Sequence, residues 1–118
     1  MLTIPKGFSF ATAASGMKYQ GRDDLAAIVS EVPATAAGVF TKNAFTAAPV
    51  IVGKEIIKAG NGVRAVAINA GQANACTGED GIVDCRVALE MTAKHLGLAE
   101  GEILPMSTGV IGPRLRLD

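Results

Sequence analysis

Aromatic residues are scarce in this sequence, and charge of neither sign is in excess. Phenylalanine, tyrosine and tryptophan make up 4% of the 118 residues, and tryptophan is absent. A folded core must therefore be built mainly from alanine, valine, isoleucine and leucine. The 11 basic and 11 acidic side chains cancel, so the positive surface that nucleic-acid binding requires is not expected. The hydrophobic fraction of 49% still indicates a globular chain rather than a disordered one.

Cysteine and histidine are also rare. The sequence has Cys76, Cys85 and His95, whose spacing matches neither a CxxC motif nor a zinc pattern. We expect no metal site, and we interpret both thiols as structural and reduced, as in a cytoplasmic protein. No run approaches the roughly 18 apolar residues of a membrane helix. Gly7–Met17 lacks the Leu- or Val-rich centre of a signal peptide and is interpreted as mature protein.

Short apolar runs predict that strands dominate the first half of the chain. The predicted strands are Asp24–Ser30, Ala36–Thr41, Pro49–Val52, Val63–Asn69 and Ile103–Met106. A short helical turn is expected at Lys54–Lys58, ending at Gly60. The fold class is therefore α/β, with mixed sheets packed with helices. The chain has no repeats or linker and stops at Asp118 without a terminating element, so 1–118 is expected to be a single, partial domain.

One amphipathic helix is predicted from about Asp80 to Leu96, with an apolar stripe that faces a core. The stripe consists of Val83, Val87 and Met91, which recur every four residues. Thr77 with Asp80 three residues later resembles a capping box. Gly97 supplies a stop signal at the other end.

The segment GQANACTG at Gly71–Gly78 has glycines spaced as in a phosphate-binding loop. Such a loop needs Lys and Ser or Thr after its second glycine, whereas Glu79 and Asp80 follow here, and their carboxylates would repel phosphate. We therefore predict a tight strand-to-helix turn, in which Asn69 and Asn74 bond to backbone groups.

The segment STGVIG at Ser107–Gly112 is the strongest candidate for chemistry. Ser107 and Thr108 offer hydroxyl donors, and Gly109 can bring its backbone N–H close to a ligand because it has no Cβ. A hydroxyl beside a backbone N–H is the equipment of an oxyanion hole. Taken alone, the pattern is a weak signal, because a Ser-Thr-Gly turn after a strand is common, and turn propensities favour that simpler explanation.

Three segments in this order resemble the ornithine acetyltransferase family of arginine biosynthesis, also called glutamate N-acetyltransferase. They are GVFTKNAFTAAPV (Gly38–Val50), INAGQANACTG (Ile68–Gly78) and MSTGVIG (Met106–Gly112). Pro5–Thr41 also resembles the N-terminal stretch of the family, so the resemblance covers nearly the whole chain. It implies a fold like that of the N-terminal-nucleophile aminopeptidases, and it identifies 1–118 as the N-terminal part of the α chain.

The resemblance implies a cytoplasmic precursor that cleaves itself before a threonine. The resulting β chain carries that threonine as its N-terminal nucleophile, which takes acetyl from N-acetylornithine and passes it to glutamate. It further implies an α2β2 heterotetramer without a cofactor, in which some members also accept acetyl-CoA as donor. Thr108, through its hydroxyl, and Gly109, through its N–H, would form the oxyanion hole.

The nucleophilic threonine of the family lies well downstream of the STG turn, and this chain ends nine residues after Gly109. The nucleophile is therefore not expected within the chain, and the isolated chain is expected to be inactive. Two alternatives remain open. The scaffold could serve an aminopeptidase with an N-terminal nucleophile, or the chain could be a truncated module for binding or assembly without a catalytic role.

Overall fold

The structure, a computed structural model, describes residues 3–117 and has the predicted mixed α/β class. These residues form two α-helices and four strands. In order, the elements are β1 (Phe8–Ala13), β2 (Leu25–Ala34), α1 (Ala48–Ala59), β3 (Val63–Gln72), α2 (Gly78–Leu96), a 3-10 turn (Glu100–Glu102) and β4 (Ile103–Val110).

The four strands form one sheet in the order β1-β2-β3-β4. The β1–β2 and β2–β3 pairs are antiparallel, whereas β3 and β4 are parallel, because α2 carries the chain back across the sheet. In the parallel pair, Asn69 is the partner of Ser107 and Gly71 is the partner of Gly109. Among the described residues, β4 therefore forms an edge of the sheet.

Both helices pack on one face of the sheet, around Ala65 of β3 and Ile103 of β4. Nearly all the buried core side chains are aliphatic, as the low aromatic content predicts. The buried residues are Ala48, Val52, Ile56, Ala65, Cys85, Leu89, Ala93 and Ile103. Small side chains allow helices and sheet to approach closely at ordinary packing density.

The opposite face of the sheet carries large apolar side chains that remain exposed. Because alternate residues of a strand point to opposite faces, Phe10, Ile28 and Val66 share this face as register partners. Met106 is 54% exposed there, and Phe10 is 50% exposed. We call this surface, with Phe8 and Val110, the open face.

The strand predicted at Pro49–Val52 is wrong, because these residues lie in α1. Pro49 occupies the first turn of the helix, where its missing N–H costs no hydrogen bond. Ala48, Val52 and Ile56 are buried at helical spacing, a period that the short PVIV segment cannot reveal. The predicted turn at Lys54–Lys58 is the last part of this helix, and Gly60 ends it in the left-handed conformation with φ 68°.

The strand predicted at Ala36–Thr41 is also wrong, since this segment has no regular secondary structure. Conversely, β1 forms from a segment that was not predicted as a strand. Its small residues give no clear alternation, and its strand character comes from pairing with β2, where Phe8 lies opposite Ser30 and Ala13 lies opposite Leu25.

The helix predicted at 80–96 is confirmed as α2, which ends at Gly97, but the stripe predicted to face the core is wrong. Val83, Val87 and Met91 are exposed, whereas Cys85, Leu89 and Ala93 are buried. The two stripes are two residues apart and therefore lie about 200° apart around the helix. Both are apolar, so spacing alone does not decide which one meets the sheet.

Within residues 3–117, neither helix has both the length and the apolar character that crossing a membrane requires.

Candidate active site at the ends of strands β3 and β4

Thr108 and Gly109 lie near the end of β4 rather than in an isolated turn, because the strand continues to Val110. Alternation places the Thr108 side chain on the open face, with Met106 and Val110. Thr108 is exposed. Its hydroxyl has no hydrogen-bond partner within the described part of the chain, so it is available to a ligand.

Gly109 has a φ of 129°, which L side chains rarely adopt. A Cβ at this position would lie 2.3 Å from the carbonyl carbon of Gly71 and 2.5 Å from its oxygen. The two backbones therefore meet at a distance that only glycine permits. This contact fixes Gly109 against the end of β3.

We expect the Gly109 N–H to point to the outer edge of β4, away from β3. The Val110 carbonyl accepts the Ala73 N–H at 2.9 Å, so the backbone groups of Val110 face β3. Backbone groups of successive strand residues point to opposite sides, which directs those of Gly109 and Pro105 away from β3. Pro105 has no N–H, and a proline is tolerated where the ladder requires no donor.

Asn69 joins the two strands through its side chain. Its Oδ1 accepts the Ser107 hydroxyl at 2.5 Å, and its Nδ2 donates to the Gln72 carbonyl at 2.7 Å. The same Nδ2 lies 3.4 Å from the sulfur of Met17. Sequence reasoning assigned Asn69 a bond to the backbone, which is confirmed, but it missed the bond to Ser107.

The loop between β3 and α2 is held by Asn74, which is completely buried. Its Nδ2 donates to the Gly81 carbonyl at 2.9 Å, and its Oδ1 accepts the Thr77 hydroxyl at 2.8 Å. The predicted strand-to-helix turn is thus confirmed. The predicted capping box is wrong, because the Thr77 hydroxyl bonds to Asn74 instead of to the start of the helix.

A second loop, between β1 and β2, is fastened beside Asn69 by Asp24, which is only 5% exposed. The Asp24 carboxylate accepts the backbone N–H of Ser15 at 2.6 Å and that of Met17 at 2.8 Å. The Ser15 bond, with the other backbone donors, lowers the pKa of Asp24 despite its burial. The Asp24 carbonyl in turn accepts the Ala70 N–H at 2.7 Å. Sequence reasoning did not identify this anchor.

The segment that follows β4 is held against α2 by an ion pair. Arg114 donates to both carboxylate oxygens of Asp84, at 2.8 and 2.6 Å, and to Asp80 at 3.1 Å. Asp84 is buried, and the hydrogen bonds from Arg114 lower its pKa more than desolvation raises it. A bidentate contact of this kind fixes direction as well as distance.

Thr108 also lines a groove of about 590 Å³ between β4, α1 and the segment at 37–40. Gly38 packs beside Ile57 and Phe40, since a Cβ on it would lie 2.9 Å from both side chains. The groove is lined mainly by apolar residues, with Ser107 and Thr108 also among its lining residues. The GVFTKNAFTAAPV segment, noted in the sequence only for its resemblance, thereby reaches the candidate site.

Neither cysteine nor His95 lines the groove that contains Thr108. Cys85 is 2% exposed, and burial raises the pKa of its thiol to about 11, whereas Cys76 is exposed. His95 lies exposed in the last turn of α2, where its Nδ1 is 2.9 Å from the Met91 carbonyl oxygen. Across residues 3–117, no three His, Cys, Asp or Glu side chains are grouped so that they could hold a metal ion.

Comparison with known proteins identifies close relatives. Residues 9–118 match the ArgJ family. The chain is 54% identical over its whole length to the arginine biosynthesis bifunctional protein ArgJ of Nitratidesulfovibrio vulgaris, and 49% identical over 98% of its length to that of Thermotoga neapolitana. It spans about 30% of the length of these curated relatives.

Two crystal structures share the fold at 42% identity. The arginine biosynthesis bifunctional protein of Bacillus halodurans matches 93% of this chain, with a TM-score of 0.87 over 57% of its own chain. Ornithine acetyltransferase of Mycobacterium tuberculosis, solved in complex with ornithine, matches 94% of this chain, with a TM-score of 0.88 over 60% of its own chain.

Proposed function

The chain belongs to the ArgJ family, and on this premise we propose that it is part of an enzyme that transfers an acetyl group from N-acetylornithine to glutamate. In this proposal the chain is the N-terminal part of the α chain and supplies the oxyanion hole. The observation that carries it is the exposed Thr108 hydroxyl without a protein partner in residues 3–117, next to the constrained backbone of Gly109. A relative solved with ornithine supports the choice of substrate.

The proposed reaction is a double displacement. A threonine at the N-terminus of the β chain attacks the acetyl carbonyl of N-acetylornithine, and the ornithine amine leaves with a proton. The amine of glutamate then attacks the acetyl-threonine ester, which restores the threonine hydroxyl and releases N-acetylglutamate. Each tetrahedral intermediate carries a negative oxygen, to which the Thr108 hydroxyl and the Gly109 N–H donate. Preorganised donors of this type stabilise the transition state by about 3–4 kcal/mol each.

The chemistry requires neither metal nor cofactor, since an activated hydroxyl is sufficient for acyl transfer. The relatives are named bifunctional. In a member with a second activity, acetyl-CoA would enter as an alternative acetyl donor. We place the enzyme in the cytoplasm, although some relatives are named as mitochondrial or chloroplastic.

The open face supports the proposal that further protein, including the β chain, packs on this sheet in an α2β2 assembly. Phe8, Phe10, Met106 and Val110 are each 42–54% exposed on it. Large apolar side chains that stay exposed on one face of a sheet are typical of an interface. The relatives are about three times as long as this chain, so they contain enough additional protein to cover it. Thr108 would then lie between the sheet and the added chain.

The test is the transfer of labelled acetyl by a complete protein of family length that includes this chain. We expect N-acetylglutamate to form from N-acetylornithine and glutamate, and no activity from residues 1–118 alone, because donors without a nucleophile cannot form an acetyl-enzyme. Hydrolysis of peptides without acetyl transfer would favour the aminopeptidase alternative. Absence of both activities in a correctly cleaved protein would favour a module without a catalytic role.

A further inference from the structure

We propose that Asn69 and Ser107 are positioning residues that set the direction of the Thr108 hydroxyl. The inference rests on the proposed function, because it concerns the donors of the same oxyanion hole. In this proposal the Ser107–Asn69 hydrogen bond contributes to the rate of acetyl transfer as well as to the stability of the fold.

The register of β3 and β4 brings the two side chains together. Asn69 and Ser107 are 38 residues apart in sequence but directly opposite in the parallel pair, and their side chains bond at 2.5 Å. Ser107 immediately precedes Thr108, so their side chains point to opposite faces of β4. A bond that fixes the rotation of the strand at Ser107 therefore also fixes the direction of Thr108 on the other face.

The amide of Asn69 can adopt only one orientation without conflict. Its Nδ2 donates to the Gln72 carbonyl at 2.7 Å, and a flipped amide would place two acceptor oxygens against each other. Oδ1 must therefore face Ser107, whose hydroxyl must donate to it. The Ser107 proton is thus donated to Asn69. Of the two neighbouring hydroxyls on β4, the one of Thr108 is therefore free to meet substrate.

Asn69 is itself held from the side of the β1–β2 loop. The Met17 sulfur lies 3.4 Å from Nδ2, and the Met17 N–H donates to the buried Asp24 carboxylate at 2.8 Å. The Asp24 carbonyl accepts the N–H of Ala70, the residue after Asn69. The support for Ser107 therefore extends through Asn69 to the buried Asp24.

Such support matters because, in residues 3–117, β4 has a neighbouring strand on one side only. The Gly71–Gly109 contact fixes the backbone one residue after Thr108, and the Ser107–Asn69 bond fixes it one residue before. A misplacement of about 1 Å can lower a rate roughly 10²-fold. Fixing Ser107 keeps the hydroxyl of Thr108 close to the geometry that the transition state requires.

The test compares Ser107→Ala, Ser107→Thr and Asn69→Ala in the complete protein. Ser107→Ala removes the donor, and we expect kcat per cleaved active site to fall roughly 10- to 100-fold with KM within about threefold. Ser107→Thr keeps the hydroxyl on a residue suited to a strand, and this variant should retain most of the kcat of the parent protein. The double alanine variant should lose little more than the worse single variant, because both remove the same bond.

A crystal structure of the Ser107→Ala protein gives a readout independent of acetyl transfer. We expect the Thr108 hydroxyl to be displaced or disordered relative to the parent. An unmoved Thr108 would overturn the inference whatever the reaction proves to be. Normal kcat in Ser107→Ala, with a large loss in Thr108→Val, would also overturn it while leaving the proposed function intact. Normal turnover in Thr108→Val would instead contradict the proposed function.

Discussion

Gly71 and Gly109 lie opposite each other on parallel strands, and a Cβ at Gly109 would lie 2.3 Å from the carbonyl carbon of Gly71. The contact joins the end of β3, which leads into the buried Asn74 loop, to the strand that carries Thr108. The candidate site therefore depends on two glycines as much as on its hydroxyl.

Replacement of Gly109 by alanine should destabilise the complete protein by more than about 2 kcal/mol, because the Cβ meets backbone atoms and the backbone angle is unfavourable. The measurement is the free energy of unfolding from denaturant titration. Gly101→Ala is the matched control, since nothing lies within 4 Å of a Cβ there. Equal effects of the two substitutions would show that the Gly71–Gly109 contact is not restrictive.

Thr108→Val should lower kcat roughly 10²- to 10³-fold, because the lost hydroxyl meets charge that develops only in the transition state. KM for N-acetylornithine should change much less. Steady-state kinetics are corrected for the concentration of cleaved active sites, since self-cleavage could need the same donor. Thr35→Val, at an exposed position that does not line the groove beside Thr108, is the control. Near-normal turnover per cleaved site would remove Thr108 from the mechanism.

The two cysteines should differ sharply in reactivity at pH 8. Burial raises the pKa of Cys85 to about 11 and shields its sulfur, whereas Cys76 is exposed. Iodoacetamide followed by mass spectrometry of the native protein should label Cys76 and leave Cys85 unmodified until the protein is denatured. Labelling of Cys85 at a comparable rate in the native protein would indicate that α2 opens readily. Cys76→Ser provides the control for site assignment.

Asp84→Asn should destabilise the protein by about 1–2 kcal/mol at neutral pH, because the charged bonds from the half-exposed Arg114 to the buried Asp84 carboxylate are lost. Arg114 lowers the pKa of Asp84 in the folded state. Its stabilising contribution is therefore complete above the unfolded pKa of about 3.9, and it is lost as the pH falls through the folded pKa. The difference in unfolding free energy between parent and variant should be constant from pH 7 to pH 5 and shrink below about pH 4.

Unfolding free energies measured over this pH range check that prediction. Glu79→Gln is the matched control, since Glu79 is an exposed carboxylate on the same helix without a hydrogen bond in the described residues. A difference between parent and Asp84→Asn that grows on acidification would have the wrong sign and would refute the assigned cause.

Local patterns in the sequence predicted those features that depend on neighbouring residues. Gly60 and Gly97 end their helices in the left-handed conformation, because few other residues adopt it at low cost. Asn69 and Asn74 bond to backbone groups within seven residues, as short amide side chains in turns do. The alanine-rich composition similarly implied a core of small aliphatic side chains.

The tertiary structure alone decided which surfaces meet. α2 has two apolar stripes, and only packing against the sheet shows that Cys85, Leu89 and Ala93 are the inner one. The Ser107–Asn69 bond and the Gly71–Gly109 contact each join residues 38 positions apart. The sequence by itself determined the C-terminal ends of the helices, the turn chemistry and the family resemblance, because these depend on short segments. The placement of Thr108 depends on the register of two parallel strands, and no local period encodes a register between distant segments.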